Sequence, residues 1–166
     1  EVAAITAAAM EGKLDYPASL MERARLFAGL DINVLAKVYD ERVSPNPGAR
    51  ALVATMNAMG AVTVLVSGGF DYFVARVSAD LGFSKFHANG LVVADNRLTG
   101  TVAEPILDGH SKRQILEQTA RQHEIALKQT LAIGDGSNDL ALLDSAGLGV
   151  AYRAKPILAE QADMQI

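Results

Sequence analysis

Residues 130–156 read TLAIGDGSNDLALLDSAGLGVAYRAKP. The apolar run at 130–133 predicts a short buried strand, and Gly134 ends it, so that Asp135 lies just past the strand's carboxyl end. Asn138 opens a segment in which Leu140, Leu142, Leu143 and Ala146 recur at helical spacing, and Gly147 closes it. Asp139 then falls in the first turn of a helix, and two carboxylates and an amide converge beyond one strand. In an open α/β sheet that crevice is where ligands bind. Gathered acidic oxygens suit a hard cation such as Mg2+. The same residues also make an ordinary Gly-Asp-Gly turn followed by ordinary helix capping.

Working outward, the chain alternates strands and helices from Pro47 onward. A helix carrying Leu52, Val53 and Met56 ends at Gly60, and the β-branched run at 62–66 reads as a strand. Ser67-Gly68-Gly69 turns into a helix over 70–81, closed by Gly82. Residues 91–94 and 97–102 predict a hairpin, because Asp95 and Asn96 tolerate positive φ. A helix over 111–122, the strand and helix of the opening stretch, a strand near 149–151, a helix after Pro156 and a strand start at 164–166 complete the series. Such alternation implies an α/β fold with a mostly parallel sheet covered by helices. Residues 1–44 instead read as three short helices: one through Val2, Ile5 and Ala9, one through Leu20, Ala24 and Phe27 behind Pro17, and one burying Val34, Leu35 and Val38. Their apolar faces are too small for an independent domain, so they should pack over the remainder.

Composition sets the outer bounds. The 166 residues are 50% hydrophobic and 20% charged, the balance of a globular domain. A formal net charge of -4 gives no electrostatic case for nucleic acid. With no cysteine, disulfides and thiolate metal sites are excluded, which fits a reducing compartment and a cytoplasmic location. No apolar run reaches the length of a membrane span. Glu1-Val2-Ala3 carries neither an initiator Met nor a basic leader, and reads as a cut.

Two further places could carry chemistry. VLVSGGF, residues 64–70, puts a hydroxyl and backbone N–H groups where a strand meets a helix, and glycine leaves room for phosphate oxygens to approach them. The same turn needs no ligand to exist. Lys112 sits at the start of an amphipathic helix, a place where lysine is ordinarily solvated. His87, His110 and His123 lack ligand or triad spacing and read as surface or loop residues, and no G-x-S-x-G turn is present.

Taken together these stretches resemble a known family. GDGSNDLALLDSAGLGVAYRAKP closely resembles the fourth signature of haloacid dehalogenase-type phosphatases, and among them the phosphoserine phosphatases. VLVSGGF is similar to the second signature and DGHSKRQIL, residues 108–116, to the third; AAAMEGKLDYPASLMERARL, residues 7–26, resembles the family's cap. The resemblance implies a Rossmann-like three-layer core over residues 45–166, incomplete at both ends, under a helical cap over 1–44. It implies that Ser67, Gly68, Gly69 and Lys112 hold phosphoryl oxygens, that Asp135 ligates Mg2+, and that Asp139 and Asn138 orient the metal shell and substrate. Arg23 would pair with a substrate carboxylate, while Met10 and Tyr16 form an apolar wall; many relatives have Phe in place of Tyr16. The implied reaction is hydrolysis of O-phospho-L-serine through an aspartyl-phosphate, the last step of L-serine synthesis, in a protein whose relatives often dimerise. The family's Asp-x-Asp-x-Thr/Ser signature, which supplies nucleophile and acid–base aspartates, is absent from these residues. The chain therefore reads as a fragment that does not turn over by itself. A related phosphatase or phosphotransferase for another small phosphomonoester, and an inactive binding or regulatory relative, remain alternatives.

Overall fold

The computed structural model describes Ile5 and residues 15–166. The chain divides into two compact units, Glu1–Ile106 and Leu107–Ile166. Of the helix predicted through Val2, Ile5 and Ala9, only Ile5 is described, and it is helical; Met10 lies outside the described residues.

In the first unit, Asp15 caps helix α1 (Tyr16–Arg25) by accepting the Ala18 N–H at 2.8 Å, with Pro17 in the first turn, where its missing donor does no harm. Leu20 and Ala24, one turn apart, are buried. Helix α2 (Asn33–Arg42) buries Leu35 alone. The expectation that Val34 and Val38 are also buried is corrected, since Val34 is half-buried and Val38 exposed. Helix α3 (Ala49–Ala58) likewise buries Val53 and leaves Leu52 exposed. Short helices lying on a surface cover a narrower stripe than their apolar spacing permits.

Strand β1 (Val64–Phe70) runs into helix α4 (Asp71–Leu81), which ends on Gly82 at φ 83°. The strand is longer than predicted and includes Ser67-Gly68-Gly69, because a parallel partner, β2 (Lys85–Asn89), stays alongside as far as Phe70↔Asn89. The register slips between Val66 and Phe70, so the glycines occupy an irregular extended segment instead of a tight turn. Sequence pattern did not reveal β2: Lys-Phe-His-Ala-Asn alternates, but over five residues with one large apolar side chain, and that one, Phe86, is exposed while the polar Asn89 is buried. The hairpin of β3 (Leu91–Ala94) and β4 (Arg97–Val102) forms as predicted, with Asp95 and Asn96 at φ 49° and 57°. The segment after α1 lies along β4: Gly29 N–H donates to Leu98 O at 2.8 Å, Leu98 N–H to Leu30 O at 2.9 Å, and Ile32 N–H to Asn96 O at 3.0 Å.

The second unit is built on helix α5 (Gly109–Gln122) and a parallel sheet of β5 (Leu131–Gly134), β6 (Leu148–Ala151) and β7 (Met164–Gln165) in that order. A 3-10 turn at Ser137–Asp139 leads into helix α6 (Leu140–Ser145), and helix α7 (Pro156–Ala159) precedes β7. Ala132, Leu143, Ala151 and Leu158 form its buried core. Strand β5 is less buried than predicted: Ala132 points into this core, while Leu131 and Ile133, on the opposite face of the pleat, are 44% and 38% exposed. Among the described residues no helix is long and apolar enough to cross a membrane.

Candidate active site

Each unit places one group of the predicted residues at the carboxyl end of a parallel strand. In the first, β1 delivers Ser67, Gly68 and Gly69. The Gly69 N–H donates to Ser67 Oγ at 3.0 Å. The Gly68 carbonyl accepts two hydrogen bonds, from Tyr16 Oη at 2.5 Å and from Asn89 Nδ2 at 3.0 Å. Gly68 does not have a positive φ; it is required for space, because a Cβ there would overlap the Tyr16 hydroxyl and lie 2.8 Å from Cζ. Tyr16 opens α1, and Arg23, seven residues on, projects from the same helix face two turns later. Arg23 is half-buried, and its Nε donates to Ser19 O at 3.3 Å. Phe27 packs edge-to-face on Phe70, ring centroids 5.8 Å apart, which ties the far end of α1 to the end of β1.

In the second unit the organising group is Asp139, 4% exposed. Its Oδ1 meets Lys112 Nζ at 2.5 Å, and its Oδ2 accepts the N–H groups of Asp135 at 3.1 Å and Gly136 at 3.3 Å. The carboxylate thus staples the loop after β5 from within. Gly134 makes this possible, since a Cβ there would come within 2.7 Å of Asp139 Oδ2. Lys112 is 5% exposed, so its helix position does not make it a solvated charge. The preceding turn sets its place: Asp108 caps α5 by accepting from Ser111 N–H at 2.8 Å and Ser111 Oγ at 2.7 Å. Those bonds, the backbone one first, hold the Asp108 carboxyl below its ordinary range. Gly109, the first residue of α5, lies so close to the backbone of Asn138 that a Cβ would meet its carbonyl oxygen at 2.8 Å. The Asn138 side chain folds back over Gly136.

Asp135 is exposed, unlike Asp139. Among the described residues no cluster of three or more His, Cys, Asp or Glu side chains is placed to hold a metal ion. Mg2+ nevertheless needs few protein ligands, keeping several waters and taking one or two carboxylates together with substrate phosphate. The exposed Asp135 carboxylate fits such a partial shell, whereas Asp139 is already committed to Lys112 and two N–H groups.

Sequence reasoning missed Asn89, which is 1% exposed at the end of the unpredicted strand β2. It missed Asp108 as well, although Asp three residues before Ser111 is a recognisable capping pattern. The reading of all three histidines as surface or loop residues is corrected for His87. It lies in β2, half-buried, with Nε2 enclosed and lacking a hydrogen-bond partner. Burial, and then the Lys85 charge, hold its pKa below the ordinary value. His110 and His123 are exposed, at the beginning and end of α5.

The haloacid dehalogenase-like hydrolase family pattern matches residues 2–144. The phosphoserine phosphatase of Streptomyces coelicolor is 46% identical over 162 residues, 98% of this chain and 39% of that protein. That of Methanocaldococcus jannaschii is 42% identical over 166 residues, all of this chain and 78% of that protein. A solved structure described as a phospho-aspartyl intermediate analogue of phosphoserine phosphatase superposes with a TM-score of 0.91 at 41% identity, covering 99% of this chain and 78% of the other. The chain thus spans between about two fifths and four fifths of the length of these relatives, and its α/β architecture with parallel strands is theirs. On fold, sequence and the shared span, the chain belongs to the haloacid dehalogenase-like hydrolases, in the phosphoserine phosphatase family.

Proposed function

We propose that the whole protein hydrolyses O-phospho-L-serine to L-serine and phosphate, the last step of L-serine synthesis, in the cytoplasm. The observation that carries this reading is the buried Lys112–Asp139 pair stapling the loop that presents Asp135. An ammonium that spends one of its three donors on Asp139 keeps two for phosphoryl oxygens. Holding it by a buried carboxylate fixes its position before the substrate arrives, so little reorganisation accompanies the reaction. Asp139 is then a positioning residue, acting through Lys112 and the loop backbone.

Ser67 supplies a hydroxyl proton to another phosphoryl oxygen, and the extended Gly68-Gly69 segment lets that oxygen approach the backbone. Arg23 pairs with the carboxylate of the amino acid, and Tyr16 and Met10 flank the substrate, within a cap formed by residues 1–44. Asn138 orients substrate beside the loop. Asp135 holds Mg2+, which supplies charge neutralisation and alignment of the phosphoryl group. The reaction proceeds by attack of an aspartate on phosphorus, release of the serine alcohol and hydrolysis of the aspartyl-phosphate by water, the two-step logic of covalent catalysis. The 166 residues contain no Asp-x-Asp pair, and the nucleophile is assigned to none of them.

The test is phosphate release from a panel of phosphomonoesters by the whole protein with Mg2+, with and without EDTA. The reading expects phosphoserine to be preferred over esters lacking a carboxylate, EDTA to abolish turnover, and Arg23→Ala to erase the preference by raising KM. Equal turnover of esters with and without a carboxylate would reassign the substrate. The 166 residues alone are expected to bind phosphate without releasing it from phosphoserine, and sustained turnover by them would refute the aspartyl-phosphate route.

A further inference from the structure

The structure assigns to Asn89 the role of a positioning residue for the Ser67 hydroxyl, exerted through the Gly68–Gly69 peptide plane. This rests on the reading of Ser67 as a phosphate ligand. A trans peptide is rigid, with carbonyl and N–H pointing in opposite directions, so fixing one end aims the other. Here both ends are held. The Gly68 carbonyl accepts from Asn89 Nδ2 at 3.0 Å, and the Gly69 N–H of the same plane donates to Ser67 Oγ at 3.0 Å. Hydrogen bonding at the carbonyl also polarises the peptide and strengthens the N–H as a donor.

The consequence falls on the hydroxyl. With Ser67 Oγ already accepting from Gly69, its own proton is directed to a different acceptor, and a phosphoryl oxygen is such an acceptor. Glycine restrains its own backbone least of all residue types, so a Ser-Gly-Gly segment that must present one hydroxyl in one orientation needs an external clamp. Asn89 is suited to that task because it is itself immobile: it is 1% exposed and stands opposite Phe70 in the β1–β2 register. The following residues are held as well, since Leu91 N–H lies 3.5 Å from Asp71 Oδ1 at the start of α4. Tyr16 reaches the same carbonyl from α1, so the clamp has one donor from the sheet and one from the helical segment. An amide is required at position 89, because an acceptor facing the Gly68 oxygen would repel it.

The experiment is a double-mutant cycle on the whole protein. Asn89→Leu and Asn89→Asp are each made in the wild-type and Ser67→Ala backgrounds, with phosphoserine kinetics, inhibition by inorganic phosphate and thermal unfolding measured for all. The proposal expects each Asn89 change to lower kcat/KM about tenfold or more with Ser67 present, mainly through kcat, and about twofold or less in Ser67→Ala, a non-additivity diagnostic of shared action. Additive losses, or kcat within twofold of wild type, overturn it. Activity lost only together with cooperative unfolding makes Asn89 a fold residue and overturns it too. Should wild type bind phosphate yet leave phosphoserine intact, the phosphatase reading fails separately. The clamp is then read from the Gly68 and Gly69 amide shifts on titration with inorganic phosphate. Their loss in Asn89→Leu upholds the clamp, and their persistence, or their absence from wild type, overturns it.

Discussion

The loop ends of β1 and β5 solve one problem by different physics. Both must hold polar groups in fixed positions beyond a parallel strand. At β1 the holding is neutral: Tyr16 and Asn89 converge on one carbonyl, and glycine clears the space. At β5 it is ionic: a buried ammonium and carboxylate meet at 2.5 Å, and the carboxylate gathers two backbone N–H groups. A neutral clamp fails when shape changes. A buried ion pair fails when one partner is removed, because the other is left charged in a low-dielectric interior.

The largest effect should therefore come from Lys112→Met. It leaves Asp139 buried without its counter-charge, and a loss of about 3–5 kcal/mol in unfolding free energy is expected, with activity abolished. Chemical denaturation checks it. The double change Lys112→Met, Asp139→Asn, which removes both charges and keeps an oxygen for the Asp135 and Gly136 N–H groups, should recover stability without recovering activity, and a double variant as unstable as the single would break the ionic side of the comparison. Next in size is Gly68→Ala, where the added methyl collides with the Tyr16 phenol, hydroxyl first. Overpacking of this kind should lower stability by about 1–3 kcal/mol. Tyr16→Leu should relieve it fully and Tyr16→Phe in large part, since the hydroxyl is the atom nearest the added methyl and Cζ the next. No relief by Tyr16→Phe would place the collision on the ring carbons instead.

The smallest effect concerns His87, on the neutral side. Its pKa is depressed in the folded protein, so the unfolded chain binds more protons below the ordinary histidine value. Stability is unaffected above that value, about 6.5, and declines as pH falls from there toward the folded pKa. His87→Phe should flatten Tm against pH across that window, raising Tm at pH 5 by about 1–2 °C relative to wild type. An unchanged slope would show that the histidine is screened by solvent.

How far these arrangements were legible in the sequence depended on the kind of signal each leaves. Pro17 behind Asp15, Asp95-Asn96 between alternating runs and Gly82 after an apolar helix are local instructions, and α1, the hairpin and the end of α4 follow them. Ser67, Lys112, Asp135 and Asp139 stood out as candidates because they lie in dense, recognisable stretches. What those residues touch was not legible. The spacing of 27 residues between Lys112 and Asp139, and of 52 between Tyr16 and Gly68, carries no pattern of its own. Strand β2 was lost because its five residues carry one large apolar side chain, Phe86, which is exposed, and Asn89, the polar residue buried in its place, was lost with it. Burial on short elements was overread at Val38, Leu52, Leu131 and Ile133, where apolar identity outran the surface actually covered.

The pairing of residues 29–32 with β4 bears on modular redesign of this fold. Gly29, Leu30 and Ile32 exchange backbone hydrogen bonds with Asn96 and Leu98, Arg97 Nη1 donates to the Gly29 carbonyl at 2.6 Å, and Gly100 lies beneath Ala28. The helices at one end of the chain and a hairpin some seventy residues later are therefore sewn along one seam. Swapping substrate preference by transplanting 1–44 from a relative would import one side of that seam and leave its mate behind, so a portable cassette must carry residues 91–102 as well.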